Sequence, residues 1–195
     1  MIMSFNNHQI QNWADLVEDY NPIHFDDAVA RRSGLNGVVV HGMLPLIHIM
    51  NLVSNSSLKT DNNKWVTIST KFRKPVSMGV PHRLNVNERS SGLRFSFIRD
   101  TDGDEAISGR LKQSLPESLS TADKQCFEVD NETIVSMKQA YDKTFPGFEQ
   151  AWLLLEVIAF SQFLRNEIPL AMFNSLSEVV SVSYTHLRAH ETATY

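Results

Sequence analysis

An acid and an imidazole stand on either side of a tight turn near the start of the chain. Residues 19–24 read DYNPIH, with Asp19 and His24 at the two ends. Pro22 has no backbone N–H and disfavours helical conformation at Asn21, so the chain turns there. Asp19 and His24 can therefore converge, and a carboxylate and an imidazole one water apart form a general acid/base pair. The alternative is a plain Asx-type turn, in which Asn21 bonds its own backbone and His24 is a half-buried polar residue.

A second candidate lies at residues 41–44, which read HGML and precede a long apolar segment. A glycine at position 42 lets a ligand approach the backbone closely. The free N–H groups of a first helical turn, together with the helix dipole, can polarise a carbonyl oxygen and stabilise an enolate-like charge. The alternative is a glycine that serves only a tight entry into a packed helix.

Periodicity predicts the elements that position these residues. Apolar side chains recur at helical spacing over residues 6–20, and Pro22 requires that helix to end near Tyr20. A short helix is predicted over residues 26–32, closed by Gly34. Residues 42–53 are apolar on nearly all sides, which predicts a buried helix with Pro45 in its first turn.

Alternating apolar residues predict the strands of an antiparallel sheet. They occur over residues 66–72, 84–86, 93–97 and 106–111, with a hairpin turn at residues 100–104. A sheet wrapped around the buried helix is the economical packing of this pattern, so residues 1–112 are predicted to form an α+β domain.

The rest of the chain partly repeats this order. Residues 113–124 are polar and read as a linker. A strand at residues 126–129, helices at 132–141 and 148–165, and a strand from 176 then follow the element order of the first unit, which indicates a degenerate repeat over residues 125–181.

Composition excludes several functional classes. The net charge of −4 argues against a general nucleic-acid surface, and no apolar run reaches the roughly 18–20 residues of a membrane span. The first residues lack the basic and apolar blocks of a signal peptide. Cys126 is the only cysteine, which fits a reducing cytoplasm. We therefore expect a cytoplasmic protein without a nucleic-acid or membrane partner.

Together the two motifs resemble a known family. DYNPIH resembles the D-x-N-P-[LIV]-H signature of the MaoC-like, (R)-specific enoyl-CoA hydratases, which have the hot-dog fold. Gly34, Gly37 and the HGML block follow in the family's order and spacing. The FRKPV segment at residues 72–76 resembles the strand that follows the hot-dog helix. The resemblance covers about residues 9–112 and implies an antiparallel sheet around a central helix.

The resemblance also implies roles. Asp19 and His24 would hold the water that adds to a trans-2-enoyl thioester, or that leaves a (3R)-3-hydroxyacyl thioester. Asn21 would orient the loop, and the Gly42 N–H would bind the thioester oxygen. The substrate would be an acyl-CoA or acyl-carrier-protein thioester, with no metal or redox cofactor. The residues expected along the substrate are Val40, His41, Met43, Phe72, Arg73 and Lys74.

Some of these positions carry alternatives. Arg73 and Lys74 are candidates for the phosphates of CoA or of a carrier-protein arm, but they could also be a solvated basic pair. The family has a small residue and a glycine just before its acid, whereas this chain has Val17 and Glu18. Glu18 would raise the pKa of Asp19 if it faced the pocket. A non-catalytic acyl-thioester-binding or partner-binding subunit therefore stays open as an alternative, and a thioesterase is a weaker one.

The resemblance also bears on the second unit. Residues 125–181 lack the D-x-N-P-x-H signature and would be a truncated second hot-dog unit that forms an intramolecular pseudo-dimer in the intact protein, or else the protein would be a homodimer. Residues 182–192 read VSYTHLRAHET, which resembles one reading frame of a transposase-type sequencing adapter. Residues 182–195 are therefore predicted to be a non-native tail, and His186 and His190 are not counted as functional.

The remaining candidates have simpler interpretations. His24, Asp26 and Asp27 with His41 match none of the common metal-ligand spacings. His48 lies within the apolar helix and is predicted to be a core residue.

Overall fold

The computed structural model of the protein describes residues 1–55, 65–89, 92–114 and 129–167. Its elements, in chain order, are β1 (Ile2–Met3), α1 (Asn7–Val17), a 3-10 turn (Pro22–His24), α2 (Asp27–Arg32), α3 (Met43–Asn55), β2 (Trp65–Phe72), β3 (His82–Arg89), β4 (Gly92–Arg99), β5 (Glu105–Ser114), α4 (Asn131–Thr144) and α5 (Ala151–Glu167). Most of the predicted linker, Cys126, the predicted strand from residue 176 and the tail at 182–195 lie outside the described residues.

The five strands form one antiparallel sheet in the order β1-β3-β4-β5-β2. The predicted hairpin turn at residues 100–104 joins β4 to β5. Its backbone closes where the Arg99 N–H donates to the Asp104 carbonyl over 2.8 Å, and Gly103 takes a positive φ of 78°. One irregularity shifts the β4–β5 register between Phe97 and Ile98.

Helix α3 is the centre of the hydrophobic core. It is buried on several sides, as its nearly continuous apolar sequence predicts, and it shares one cluster of buried side chains with the inner face of the sheet. The members of this cluster are Leu44, Leu46, Ile47, Ile49, Met50 and Val53 of α3 and Ile68, Leu84, Leu93, Phe95, Phe97, Ile107 and Leu111 of the sheet. Each buried side chain of this size contributes about 1.5–3 kcal/mol through burial. The predicted sheet around a buried helix is confirmed.

Helix α1 begins and ends through local backbone chemistry. Asn6 caps it in a reciprocal capping box with Gln9. The helix ends at Val17, three residues before the predicted end at Tyr20. The reason is that Glu18 adopts the left-handed conformation, with φ 61° and ψ 33°, which stops the helical hydrogen-bond ladder before Pro22 can do so.

Helix α4 packs against α1 and α5, and α5 packs against α1 and α3. The predicted helix at 132–141 is present as α4, capped by Asp130, and α5 corresponds to the predicted apolar helix. Trp13 of α1 is fully buried, with its ring 6.1 Å from the ring centroids of both Phe145 and Phe160. Leu155 and Phe163 of α5 stay exposed. The second hot-dog unit stays a prediction, because residues 126–128 of its first predicted strand and all of the strand from residue 176 lie outside the described residues.

No helix within the described ranges combines the length and the apolar character that crossing a membrane requires.

We predict that the Trp13 contact holds the helices α4 and α5 on the domain. Trp13→Ala should lower the free energy of unfolding by about 3–5 kcal/mol, because it removes a large buried ring and leaves a cavity. Urea unfolding followed by circular dichroism measures this change. Val135→Ala on the exposed face of α4 is the control and should change it by less than about 0.5 kcal/mol. An equal effect of the two variants would show that Trp13 does not anchor these helices.

Candidate active site

The turn after α1 brings an acid and an imidazole into the interior. Asn21 begins the 3-10 turn: its side-chain oxygen accepts the Ile23 N–H over 3.3 Å, and its carbonyl accepts the His24 N–H over 3.0 Å. Pro22 occupies the first position of the turn, where no N–H is needed. The Asx-type turn is therefore present, and it directs His24 inwards, where only 7% of its surface stays exposed.

The hydrogen bond of His24 determines which ring nitrogen is basic. Nδ1 lies 2.7 Å from the Val39 carbonyl oxygen, which can only accept. Nδ1 must therefore carry the proton in the neutral ring, so Nε2 holds the lone pair. Burial lowers the pKa of His24 below 6.5, against the opposing effects of the Val39 carbonyl and the Asp19 carboxylate. The ring is thus neutral near pH 7 and can accept a proton at Nε2.

Asp19 is buried beside this ring. Its Oδ1 accepts the Asn21 N–H over 3.3 Å. Burial raises its pKa above 3.8, while His24 and the Asn21 N–H act in the opposite direction. A carboxylate oxygen of Asp19, a ring nitrogen of His24 and one of His41 all lie within 4.8 Å of one another. Two hydrogen bonds to one shared water span about 4.6 Å, so these groups are close enough together for one water to contact more than one of them.

His41 belongs to the same cluster, which the sequence did not indicate. The resemblance implies that His41 is a substrate contact, whereas in the structure its ring stacks on His24 with 3.6 Å between centroids and 26° between planes. Its Nε2 donates to the Asp19 backbone carbonyl over 3.0 Å and lies 3.8 Å from Asp19 Oδ2. Burial is the main cause that lowers the pKa of His41 to about 3, so this contact is not an ion pair near neutral pH.

Two imidazoles and a carboxylate at this spacing resemble a metal-ligand set, and the ring geometry tests that idea. A metal ion lies in the plane of each imidazole that binds it. Rings stacked at 26° cannot direct their nitrogens at one ion, and His24 Nδ1 and His41 Nε2 are both engaged by carbonyls. The arrangement therefore does not fit a shared ion. The expectation that the reaction needs no metal or redox cofactor stays a prediction.

Gly42 lies next to this cluster, directly before α3. The Leu44 N–H donates to the His41 carbonyl over 3.0 Å, whereas no acceptor among the described residues takes the Gly42 N–H. Gly42 is exposed although both of its neighbours are buried. A Cβ at this position would lie 3.0 Å and 3.2 Å from two ring atoms of Phe72. The glycine therefore leaves a free backbone donor beside an aromatic ring.

Four other residues predicted to lie along the substrate are found in the hydrophobic core or in ion pairs. The side chains of Val40 and Met43 belong to the hydrophobic core. Arg73 Nε lies 2.6 Å from Glu105 Oε1 and donates to Ser108 Oγ, and Lys74 Nζ lies 2.5 Å from Asp104 Oδ2. A phosphate at Arg73 or Lys74 must compete with these carboxylates.

Glu18 points away from the cluster. Its carboxylate accepts a hydrogen bond from Arg165 Nη2 of α5 over 2.5 Å, and more than half of its side chain is exposed. Glu18 is also not among the causes that raise the pKa of Asp19. The negative charge of Glu18 therefore gives no electrostatic reason to expect that Asp19 is inactive.

His48 lies on α3 among three aromatic rings rather than in this cluster. Phe5, Phe145 and Phe148 have their ring centroids 5.2–5.4 Å from His48. Burial lowers its pKa to about 4. This environment agrees with the prediction that His48 is a core residue.

Sequence comparison with known proteins adds two findings. The profile of the family described as MaoC like domain matches residues 3–107, more than half of the chain. A mitochondrial 3-hydroxyacyl-[acyl-carrier-protein] dehydratase of Arabidopsis thaliana is 33% identical over 75 residues, which cover 38% of this chain and 43% of that protein. The chain thus matches less than half the length of this curated relative.

Two solved structures are also similar. A MaoC-like dehydratase from Phytophthora capsici aligns with TM-score 0.50 and 19% identity over 60% of this chain and 42% of that chain. The (R)-hydratase from A. caviae involved in PHA biosynthesis aligns with TM-score 0.46 and 26% identity over 60% of this chain and 92% of that chain. The sheet around α3 is the hot-dog fold.

We predict that the buried neutral histidines make the protein sensitive to acid. The pKa values of His41 and His48 lie below 6.5, so the unfolded chain binds more protons than the folded chain as pH falls towards about 4. The free energy of unfolding should then fall by up to about 1.4 kcal/mol per pH unit for each such histidine. Asp19, with its raised pKa, opposes this trend above pH 3.8.

Urea unfolding between pH 8 and pH 4 measures this slope. His48→Leu should give a shallower slope, because it removes one of the titrating groups. The comparison at pH 8, where the imidazoles are neutral, gives the change in packing alone. A slope unchanged by His48→Leu would contradict the prediction.

Proposed function

We propose that this chain, which belongs to the MaoC-like domain family, hydrates trans-2-enoyl thioesters and in the reverse direction dehydrates (3R)-3-hydroxyacyl thioesters. The observation that carries the proposal is the buried pair of Asp19 and His24, with the lone pair of His24 on Nε2, next to the Gly42 N–H, which has no acceptor in the described part of the chain. The activity for which the Arabidopsis dehydratase is named agrees with this reaction class.

In the hydration direction, the pair activates one bound water. His24 Nε2 takes a proton from this water while its oxygen bonds to C3 of the substrate. The electron pair of the C2–C3 double bond moves towards the thioester carbonyl. The acid/base pair then returns one proton to C2, so that H and OH have been added and both side chains regain their starting states. Proton transfer by positioned groups contributes typically about 10²- to 10⁴-fold in rate.

The charge that develops on the thioester oxygen needs a donor. The Gly42 N–H would supply it, with the Met43 N–H as a second candidate, because both lie where α3 begins. Backbone donors of this kind are worth about 3–4 kcal/mol of barrier each. Phe72 beside Gly42 would line the substrate path. Asn21 would act only through the turn, by fixing the geometry between the acid and the base.

The substrate would be carried as CoA or as the phosphopantetheine of a carrier protein, and the chemistry would use no further cofactor. Arg73 and Lys74 would bind its phosphates by exchanging their carboxylate partners for the substrate. The intact protein would work as a homodimer or as a pseudo-dimer of two hot-dog units, with residues 125–181 as the start of the second, and in the cytoplasm.

We predict that hydration of crotonyl-CoA depends on both members of the pair. Asp19→Asn and His24→Ala should each lower the rate by about 10²- to 10⁴-fold, because each removes one partner in proton transfer. The loss of absorbance of the conjugated thioester measures the rate. Circular dichroism checks that both variants are folded.

Asp27→Asn is the matched control, since Asp27 lies close in the chain but is exposed and paired with Arg31. It should stay within about twofold of the wild type, as expected for a surface substitution. A folded wild type that does not hydrate crotonyl-CoA would leave the non-catalytic subunit as the better explanation. Release of free thiol from the substrate would indicate the thioesterase instead.

We predict separately that the basic pair recognises phosphates. Arg73→Ala with Lys74→Ala should raise KM for crotonyl-CoA by up to about tenfold, since it removes two ion pairs with phosphates, each worth roughly 0.2–1 kcal/mol at an exposed site, and about 1.4 kcal/mol corresponds to tenfold. The N-acetylcysteamine thioester of crotonate has no phosphates and is the control, so its KM should not change. An equal effect on both substrates would assign Arg73 and Lys74 to structure and not to phosphate binding.

A further inference from the structure

We propose that His41 is a positioning residue that holds the acid, the base and the Gly42 backbone donor in one rigid unit. The inference rests on the proposed function and adds a residue that acts through its neighbours without touching the reacting atoms. Three contacts of His41 carry it: one to the ring of His24, one to the backbone of Asp19 and one to the start of α3.

The first contact covers one face of the base. The His41 and His24 rings stack at 3.6 Å, and Phe25 approaches the His41 ring edge-on at 6.0 Å. His24 is held at its edge by the Val39 carbonyl and across its face by His41. Its plane is therefore fixed in two directions, which fixes the direction of its Nε2 lone pair.

The second contact holds the backbone of the acid. His41 Nε2 donates to the Asp19 carbonyl across 22 residues of chain. A proton on Nε2 leaves Nδ1 as an acceptor in the neutral ring. That Nδ1 is buried and has no partner among the described residues. An unpaired buried acceptor costs stability, and a phenyl ring would stack on His24 without that cost. What the imidazole adds over phenyl is the N–H donor to Asp19.

The third contact joins the pair to the backbone donor. The His41 carbonyl accepts the Leu44 N–H over 3.0 Å, and the preceding Val40 N–H donates to the Val76 carbonyl over 2.7 Å. The backbone of His41 is thus held between α3 and the segment that joins β2 to β3, and the next residue is Gly42. One residue therefore sets the distance between the acid/base turn and the N–H that would hold the thioester oxygen.

His41 can do this without taking part in proton transfer. With a pKa of about 3 it stays neutral at the pH where His24 accepts a proton. It therefore adds no positive charge beside the base and does not compete with His24 for the proton of the water.

Two substitutions separate these roles. His41→Phe keeps the covering ring and removes the N–H, whereas His41→Gln keeps a donor close to the position of Nε2 and removes the ring. With crotonyl-CoA, His41→Phe should lower kcat by about 10- to 100-fold and leave KM within about threefold, as when a group that orients reacting residues is removed. His41→Gln should recover at least part of that decrease in kcat.

A second readout does not need activity. The titration of the His24 ring, followed by ¹³C NMR of its Cε1 carbon, reports how much water reaches its face. In His41→Gln the pKa of His24 should rise towards 6.5, because the covering ring is gone. In His41→Phe the pKa of His24 should stay below 6.5, because the phenyl ring still covers its face. A folded wild type with no hydratase activity but with this pattern would overturn the proposed function and leave the positioning contacts supported.

His82 offers a matched control. Its ring is also buried and stacked on an aromatic ring, Phe97, at 4.9 Å, with Nδ1 bonded to the Val80 carbonyl. His82→Phe should change thermal stability but neither kcat of the folded protein nor the His24 titration. The inference is overturned if both His41 variants keep the wild-type kcat and His24 titration. It is also overturned if the decrease in kcat only follows the decrease in folded protein.

Discussion

The hydrogen bond from His24 Nδ1 to the Val39 carbonyl is the interaction on which the rest of the site depends. It joins the turn after α1 to the segment before α3, and it leaves the basic nitrogen of His24 free. A buried imidazole without such an acceptor would lack an orienting partner and could populate either tautomer. Because Val39 also forms an isolated bridge with Ser77, the acceptor itself is held by the segment that precedes β3. The base is thus positioned both by its own turn and by the segments around Val39 and Ser77.

The central helix α3 fixes the position of the backbone donor, as the Val39 contact fixes the base. Its apolar side chains are surrounded by the sheet and by α1 and α5, so α3 cannot shift without opening the core. The start of α3 is therefore a fixed point, and Gly42 lies there with its N–H free among the described residues. A rigid scaffold that ends in a backbone donor is what electrostatic stabilisation of a developing charge requires. The apolar sequence of α3 therefore accounts both for the packing of the core and for the fixed position of the Gly42 N–H.

Much of this could be predicted from the sequence because the signals are local. Asn-Pro chemistry predicts the turn at 21–22, and unbroken apolar character predicts α3. Contacts between residues that are distant in the sequence could not be predicted in this way. Nothing local distinguishes a His41 that contacts substrate from one that stacks on His24. The direction of Glu18 depends on where α5 places Arg165, and the partners of Arg73 and Lys74 depend on the β2–β5 register. The left-handed backbone at Glu18, which ends α1 early, is not indicated by the residue itself, because a glutamate rarely takes this conformation.

Glu18 shows which contacts hold the acid in place. A non-glycine residue in the left-handed region costs about 1–2 kcal/mol, and a glycine would avoid most of that cost. The Arg165 ion pair is exposed and can offset only a small part of it, since exposed pairs contribute about 0–1 kcal/mol. The position of Asp19 is therefore set mainly by buried contacts on its other side, which are the Asn21 N–H and the His41 ring nitrogen. The exposed side of the turn can accordingly carry Glu18, while the buried side still holds the acid against the base.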